Sequence, residues 1–115
     1  MTAKDKLMIA ARAQDHIRSL KEELKAVKGE EQTEKLIEAE IYVLREEYAK
    51  TRAIIDSIKK DQLRMILRYR YLNGMDWRHV GKTMNLCDTS LFRLHKEALK
   101  AFEEQEKKKQ TGKGA

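Results

Sequence analysis

The chain has 115 residues, with 41% hydrophobic and 38% charged content, no proline and five glycines, a balance that reads as one small all-α domain plus an extension, carrying long solvated helices. A single cysteine excludes an internal disulfide and points to a reducing, cytoplasmic setting. No apolar run reaches the length of a membrane span, and Leu7-Met8-Ile9-Ala10-Ala11 is also too short for a secretory core.

From the N-terminus, Met1 to about Lys6 is expected to fray. Ala10, Ala13, Ile17, Leu20, Leu24 and Val27 then recur at alternating three- and four-residue steps, the seam of a coiled-coil-like helix. Continuing that seam would place Glu31, Glu34 and Glu38 on it, which a buried interface would not accept unpaired. The helix is therefore expected to stop near Gly29. A second helix is predicted from about Thr33 to Lys59, with a seam of Ile37, Ile41, Leu44, Tyr48, Thr51, Ile55 and Ile58, widened by Leu36, Val43 and Ile54. A short connection favours an antiparallel pair; the alternative is one interrupted helix in an intermolecular coiled coil. Either arrangement makes residues 1–60 a packing or oligomerisation device, and a homodimer would follow from seams too extensive for one module to cover.

The segment 61–102 breaks into three helical pieces at two short polar joints. Leu63, Ile66 and Leu67 share one face of the first, which Asn73-Gly74 ends. Asp76 caps a short second helix, Trp77 to Met84, expected to bury Trp77, Val80, Gly81 and Met84. Asn85-Leu86-Cys87 makes a tight joint, and Cys87 or Asp88 opens a third helix whose inner face is Leu91, Leu94, His95, Ala98 and Phe102, flanked by Leu99. Two helices joined by three or four residues are the helix-turn-helix signature, and Gly81 supplies the small side chain that a near-perpendicular crossing needs. The outward positions of the third helix are Thr89, Ser90, Arg93, Lys96, Glu97 and Lys100. Short hydroxyls at its start and long cations further along suit a helix laid into a major groove, with Arg93 reaching a guanine edge. Arg78 and Lys82 on the preceding helix are placed to hold phosphates.

Charge distribution points the same way. Residues 1–58 hold 11 Lys/Arg against 12 Asp/Glu, residues 59–102 hold 10 against 4, and residues 103–115 hold 4 against 3, so the net charge of +6 sits on the segment read as helix-turn-helix. Such a segment concentrates near polyanions, above all double-stranded DNA. The lysine-rich end, 103–115, is expected to be a basic disordered tail. His95, on the inner face, is expected to be a hydrogen-bonded core residue. His16, His79 and His95 fall on three separate helices, Cys87 has no partner at metal-ligand spacing, and Gly81-Lys82-Thr83 lacks the upstream glycine of a phosphate loop. The sequence therefore predicts a non-enzyme with no metal or cofactor.

Arg70-Tyr71-Leu72-Asn73-Gly74, then Trp77 and Val80, then Ser90-Leu91-Phe92-Arg93-Leu94-His95-Lys96-Glu97-Ala98-Leu99 resemble the C-terminal pattern of small phage transcriptional regulators of the ArpU type. The likeness covers about the C-terminal two-fifths. It departs at Cys87, where the family usually has a serine cap, and at Gly81, which replaces an alanine. It implies a helix-turn-helix similar to region four of sigma factors and a role in regulating transcription from promoter DNA. Two alternatives remain. One is another phage DNA-binding role, such as a small terminase subunit; the other is a protein-interaction module docking on host RNA polymerase.

Overall fold

The computed structural model describes residues 1–112, with side chains described to residue 110. Five helices and no strand are found among them. They are α1 (Ala3–Ala26), α2 (Glu31–Asp56), α3 (Asp61–Leu67), α4 (Trp77–Met84) and α5 (Asp88–Gly112). None is long and apolar enough to cross a membrane. The principal extents are 52 × 40 × 20 Å, so the body is only about two helix diameters thick.

The expected fraying at Met1–Lys6 does not occur. Thr2 caps α1 reciprocally, its hydroxyl accepting from the Asp5 amide while the Asp5 carboxylate accepts from the Thr2 amide, both at 3.1 Å. Ala3 and Leu7 are buried against the far end of the chain. That burial is a tertiary effect that local periodicity does not register. α1 ends as expected around Gly29, whose φ of 98° is costly for any residue with a Cβ. The Gly29 amide donates to the Glu34 carboxylate at 2.6 Å, tying the turn to the first turn of α2.

The two seams face each other within the chain. Leu20 packs with Ile37 and Ile41, while Ala3 and Leu7 meet Ile54, Ile55 and Ile58, so α1 and α2 run antiparallel. Within the chain the two helices thus fold back on each other rather than continuing as one interrupted helix. Of the residues expected to widen the α2 seam, Ile54 is buried, but Leu36 is 73% and Val43 57% exposed. One face of α2 is enough for a single partner helix.

Beyond α2, the Ser57 hydroxyl donates to the Ile54 carbonyl and Arg64 of α3 donates to the Ile58 carbonyl, satisfying groups that the ended helix leaves open. α3 runs on into a π-helical turn, Arg68–Leu72, where the Asn73 amide donates to the Arg68 carbonyl at 2.8 Å. Leu63, Ile66 and Leu67 are buried as expected, and Tyr71 extends the same face. Gly74, at φ 73°, turns the chain into α4.

The core does not divide at residue 60. One cluster unites Leu7 of α1, Ile55 and Ile58 of α2, Leu67 and Tyr71, Val80 of α4, and Leu91, Ala98 and Phe102 of α5. The basic tail expected to be disordered from 103 is instead a continuation of α5 as far as Gly112. Phe102 is buried, and Lys6 of α1 pairs with Glu106, so α1 and α2 give the helix a surface to lie on. The last three residues of that expected tail lie outside the described residues.

Candidate nucleic-acid interface

Three residues, 85–87, join α4 to α5. Asp76 opens α4, its carboxylate accepting from the His79 amide at 2.8 Å. Asn85 closes it in the left-handed conformation (φ 56°), which asparagine tolerates better than most residues. The Leu86 amide donates back to the Gly81 carbonyl at 2.9 Å. A Cβ at Gly81 would stand 3.2 Å from the Leu86 carbonyl oxygen and 3.6 Å from Leu91, which is the close approach that the glycine was expected to serve.

Of the two residues expected to open α5, Cys87 holds the cap position and Asp88 is the first helical residue. The Cys87 carbonyl accepts from the Leu91 amide at 2.9 Å, and its thiol lies 3.4 Å from the Ser90 hydroxyl. Hydrogen bonding from the Ser90 side chain, then from its amide, lowers the thiol pKa. Ser90 is thus occupied at the helix start and partly buried, which sets it apart from the other candidate contacts. Thr89, Arg93, Lys96 and Lys100 are all exposed. At about 100° per residue they fall within an arc of about 60°, opposite the buried Ala98, over a length of about 16 Å. Arg78 and Lys82 are exposed one turn apart on α4, lining a recess with Cys87 and Asp88 beside the start of α5.

Ion-pair geometry sorts the ten cations of 59–102. Arg68 pairs with Asp56, and Arg64 with Asp61 as well as the Ile58 carbonyl. Lys60 lies 3.9 Å from Glu97, a solvent-exposed pair. Arg70 donates to the Met75 carbonyl at 3.0 Å and lies 5.1 Å from the centre of the Trp77 ring, clamping the turn before α4. Lys59, in the joint before α3, and Arg78, Lys82, Arg93, Lys96 and Lys100 have no side-chain partner among the described residues. Glu103 and Glu104, both exposed, end the basic strip one turn beyond Lys100. Arg12, Lys21, Lys28 and Arg45 are also exposed without a side-chain partner, but they lie in a segment, 1–58, where 12 carboxylates outweigh 11 cations, whereas from Trp77 to Phe102 five such cations stand against only Asp88 and Glu97.

Beneath this surface lies a polar contact that the sequence hinted at only through His95. The Tyr71 hydroxyl meets His95 Nε2 at 2.8 Å, and the Trp77 ring stands edge-on to His95 with 4.5 Å between centres. Burial, then the charges of Lys4 and Arg70, lower the His95 pKa to about 4, so the ring is neutral at pH 7. Burial raises the Tyr71 pKa, keeping its hydroxyl protonated. With both groups neutral, the hydroxyl and Nε2 are joined by one hydrogen bond whose donor follows from the imidazole tautomer. Trp77, expected to be largely buried, is only partly so: one edge meets His95 and Arg70 lies over it, leaving the rest at the surface.

Phe92, by contrast, is 71% exposed. It lies one residue off the buried stripe, between the cationic strip and Trp77. Its position relative to the expected inner face was the available signal. Among the described residues, no three His, Cys, Asp or Glu side chains converge on a metal-sized site. Comparisons with family models, curated proteins and solved structures give no match.

Proposed function

We propose that this chain is a sequence-specific DNA-binding regulator of transcription, with α4 and α5 as a helix-turn-helix and the first three turns of α5 in the major groove. The observation that carries this reading is the sorting of charge. Arg64, Arg68 and Arg70 are engaged in holding the fold, whereas Arg78, Lys82, Arg93, Lys96 and Lys100 are left unpaired on two helices set by a three-residue turn. On α1 and α2 taken together, free cations lie among at least as many carboxylates, whereas on this bihelical unit they outnumber them, an imbalance that a surface maintained only for solubility does not require. The resemblance to ArpU-type regulators over Arg70–Leu99 supports the same assignment, with a phage promoter as the target. Arg93 is the base reader, Thr89 and Lys96 flank it, and Arg78 and Lys82 hold the backbone beside the groove.

The test is binding of the full chain to duplexes selected from a random library, followed over a range of salt. With Arg93 on a base, phosphate contacts from Arg78, Lys82, Lys96 and Lys100 give a slope of log K against log salt of about −3.6. Affinity should therefore fall about 150-fold between 50 and 200 mM salt. A slope near zero, or selection that enriches no sequence, would overturn the proposal.

A further inference from the structure

We propose that Phe92 is a specificity-determining residue that packs its ring against the 5-methyl group of a thymine in the bound site; this rests on the DNA-binding reading above. Phe92 is the most exposed aromatic residue in the module, at 71%, and it contributes no buried contact to the core. Its placement is specific. It lies one helical turn from both Thr89 and Lys96, next to Arg93, so it shares their outward side of α5 while flanking the strip toward Trp77. Together with Trp77, Leu91, His95 and Asp88 it walls a small cleft of about 210 Å³ that is apolar apart from the Asp88 carboxylate and the imidazole.

A helix in the major groove presents such a flank to base edges. The one apolar group that those edges offer is the thymine methyl, which phenylalanine is suited to contact. The cations beside Phe92 cannot supply this discrimination. They find acceptors on every phosphate and on guanine, and none distinguishes thymine from uracil. An aromatic ring supplies the missing apolar reader, and its contact buries a surface that is otherwise left in water.

Replacing thymine by deoxyuridine removes only the methyl group, so it isolates this contact. Duplexes selected by the wild-type chain would be resynthesised with deoxyuridine at each thymine in turn and measured against wild type, Phe92→Ala and Phe92→Leu. For wild type, deoxyuridine at one position of the site should weaken binding about three- to tenfold, the size expected for one buried methyl group. Phe92→Ala should bind the parent duplex correspondingly less well and be indifferent to the same replacement. Phe92→Leu should retain part of the discrimination. Because the side chain is exposed and contributes nothing to the core cluster, all three proteins should give the same helical signal and the same cooperative urea unfolding. Wild-type indifference to deoxyuridine at every position, or equal discrimination by Phe92→Ala, would overturn the inference while leaving DNA binding intact. A uniform loss for Phe92→Ala with the deoxyuridine penalty retained would also overturn it, since that ring would then touch the backbone alone. If no duplex is selected at all, the DNA-binding reading fails and this inference fails with it.

Discussion

Acid should destabilise this protein through one residue, His95. Its ring is 9% exposed and meets the Tyr71 hydroxyl at 2.8 Å, with the charges of Lys4 and Arg70 acting on it as well. Its pKa is about 4 in the folded chain against 6.5 for the ordinary side chain. Between those values the unfolded chain binds the proton and the native chain does not, so stability falls as pH is lowered. The contribution is fully present above pH 6.5 and is lost by the time pH passes below about 4. Its size over that window is about 3 kcal/mol, a substantial part of the stability of a domain this small. Urea unfolding followed by Trp77 emission at pH 7.5, 6, 5 and 4 measures it, with His95→Gln as the reference. Glutamine can accept from Tyr71 but takes up no proton. The carboxylates titrate in both proteins, so the difference between the two curves isolates the imidazole. That difference should move by about 3 kcal/mol in favour of the variant as pH drops from 7 to 4. Parallel curves, or a His95 ring that titrates near 6.5 by NMR, would refute the reasoning.

Arg93→Ala should cost about 1–3 kcal/mol on the preferred duplex and relax choice at one base pair, as read by competition among single-base variants. Lys82→Ala should weaken all duplexes alike and reduce the salt slope by about one contact; the reverse pattern would invert the roles given to α4 and α5. Leu7→Ala removes a fully buried side chain and should cost about 2–5 kcal/mol in urea unfolding, whereas a loss under about 0.5 kcal/mol would mean that the N-terminal turn does not belong to the core. Gly81→Ala gains about 1 kcal/mol of helix propensity but brings a Cβ to 3.2 Å from the Leu86 carbonyl, so its net effect should be small. Gly81→Val should instead destabilise by about 2 kcal/mol or more, because its branches have nowhere to go in the α4–α5 crossing.

Periodicity and joint residues were enough to set the elements. The spacing of Ala10 to Val27 and of Ile37 to Ile58 marks the inner faces of α1 and α2, because a helix burying one side must repeat its apolar residues every three or four positions. Gly29, Gly74, Asp76 and Asn85 mark where helices begin and end, since their backbone conformations and caps are local properties. The face of α5 carrying Arg93, Lys96 and Lys100 follows from subtracting its apolar stripe. Partnership is a different matter. Nothing in the N-terminal residues foretells that Ala3 and Leu7 pack onto the module, or that α5 continues past Phe102 because α1 and α2 lie beneath it. Nor does a count of charges separate Arg64, Arg68 and Arg70, which hold the fold, from Arg78, Lys82 and Arg93, which do not. Those distinctions depend on contacts between residues distant in sequence. Local pattern sets which face of a helix is apolar, whereas the packed chain decides what that face meets and which charges remain free.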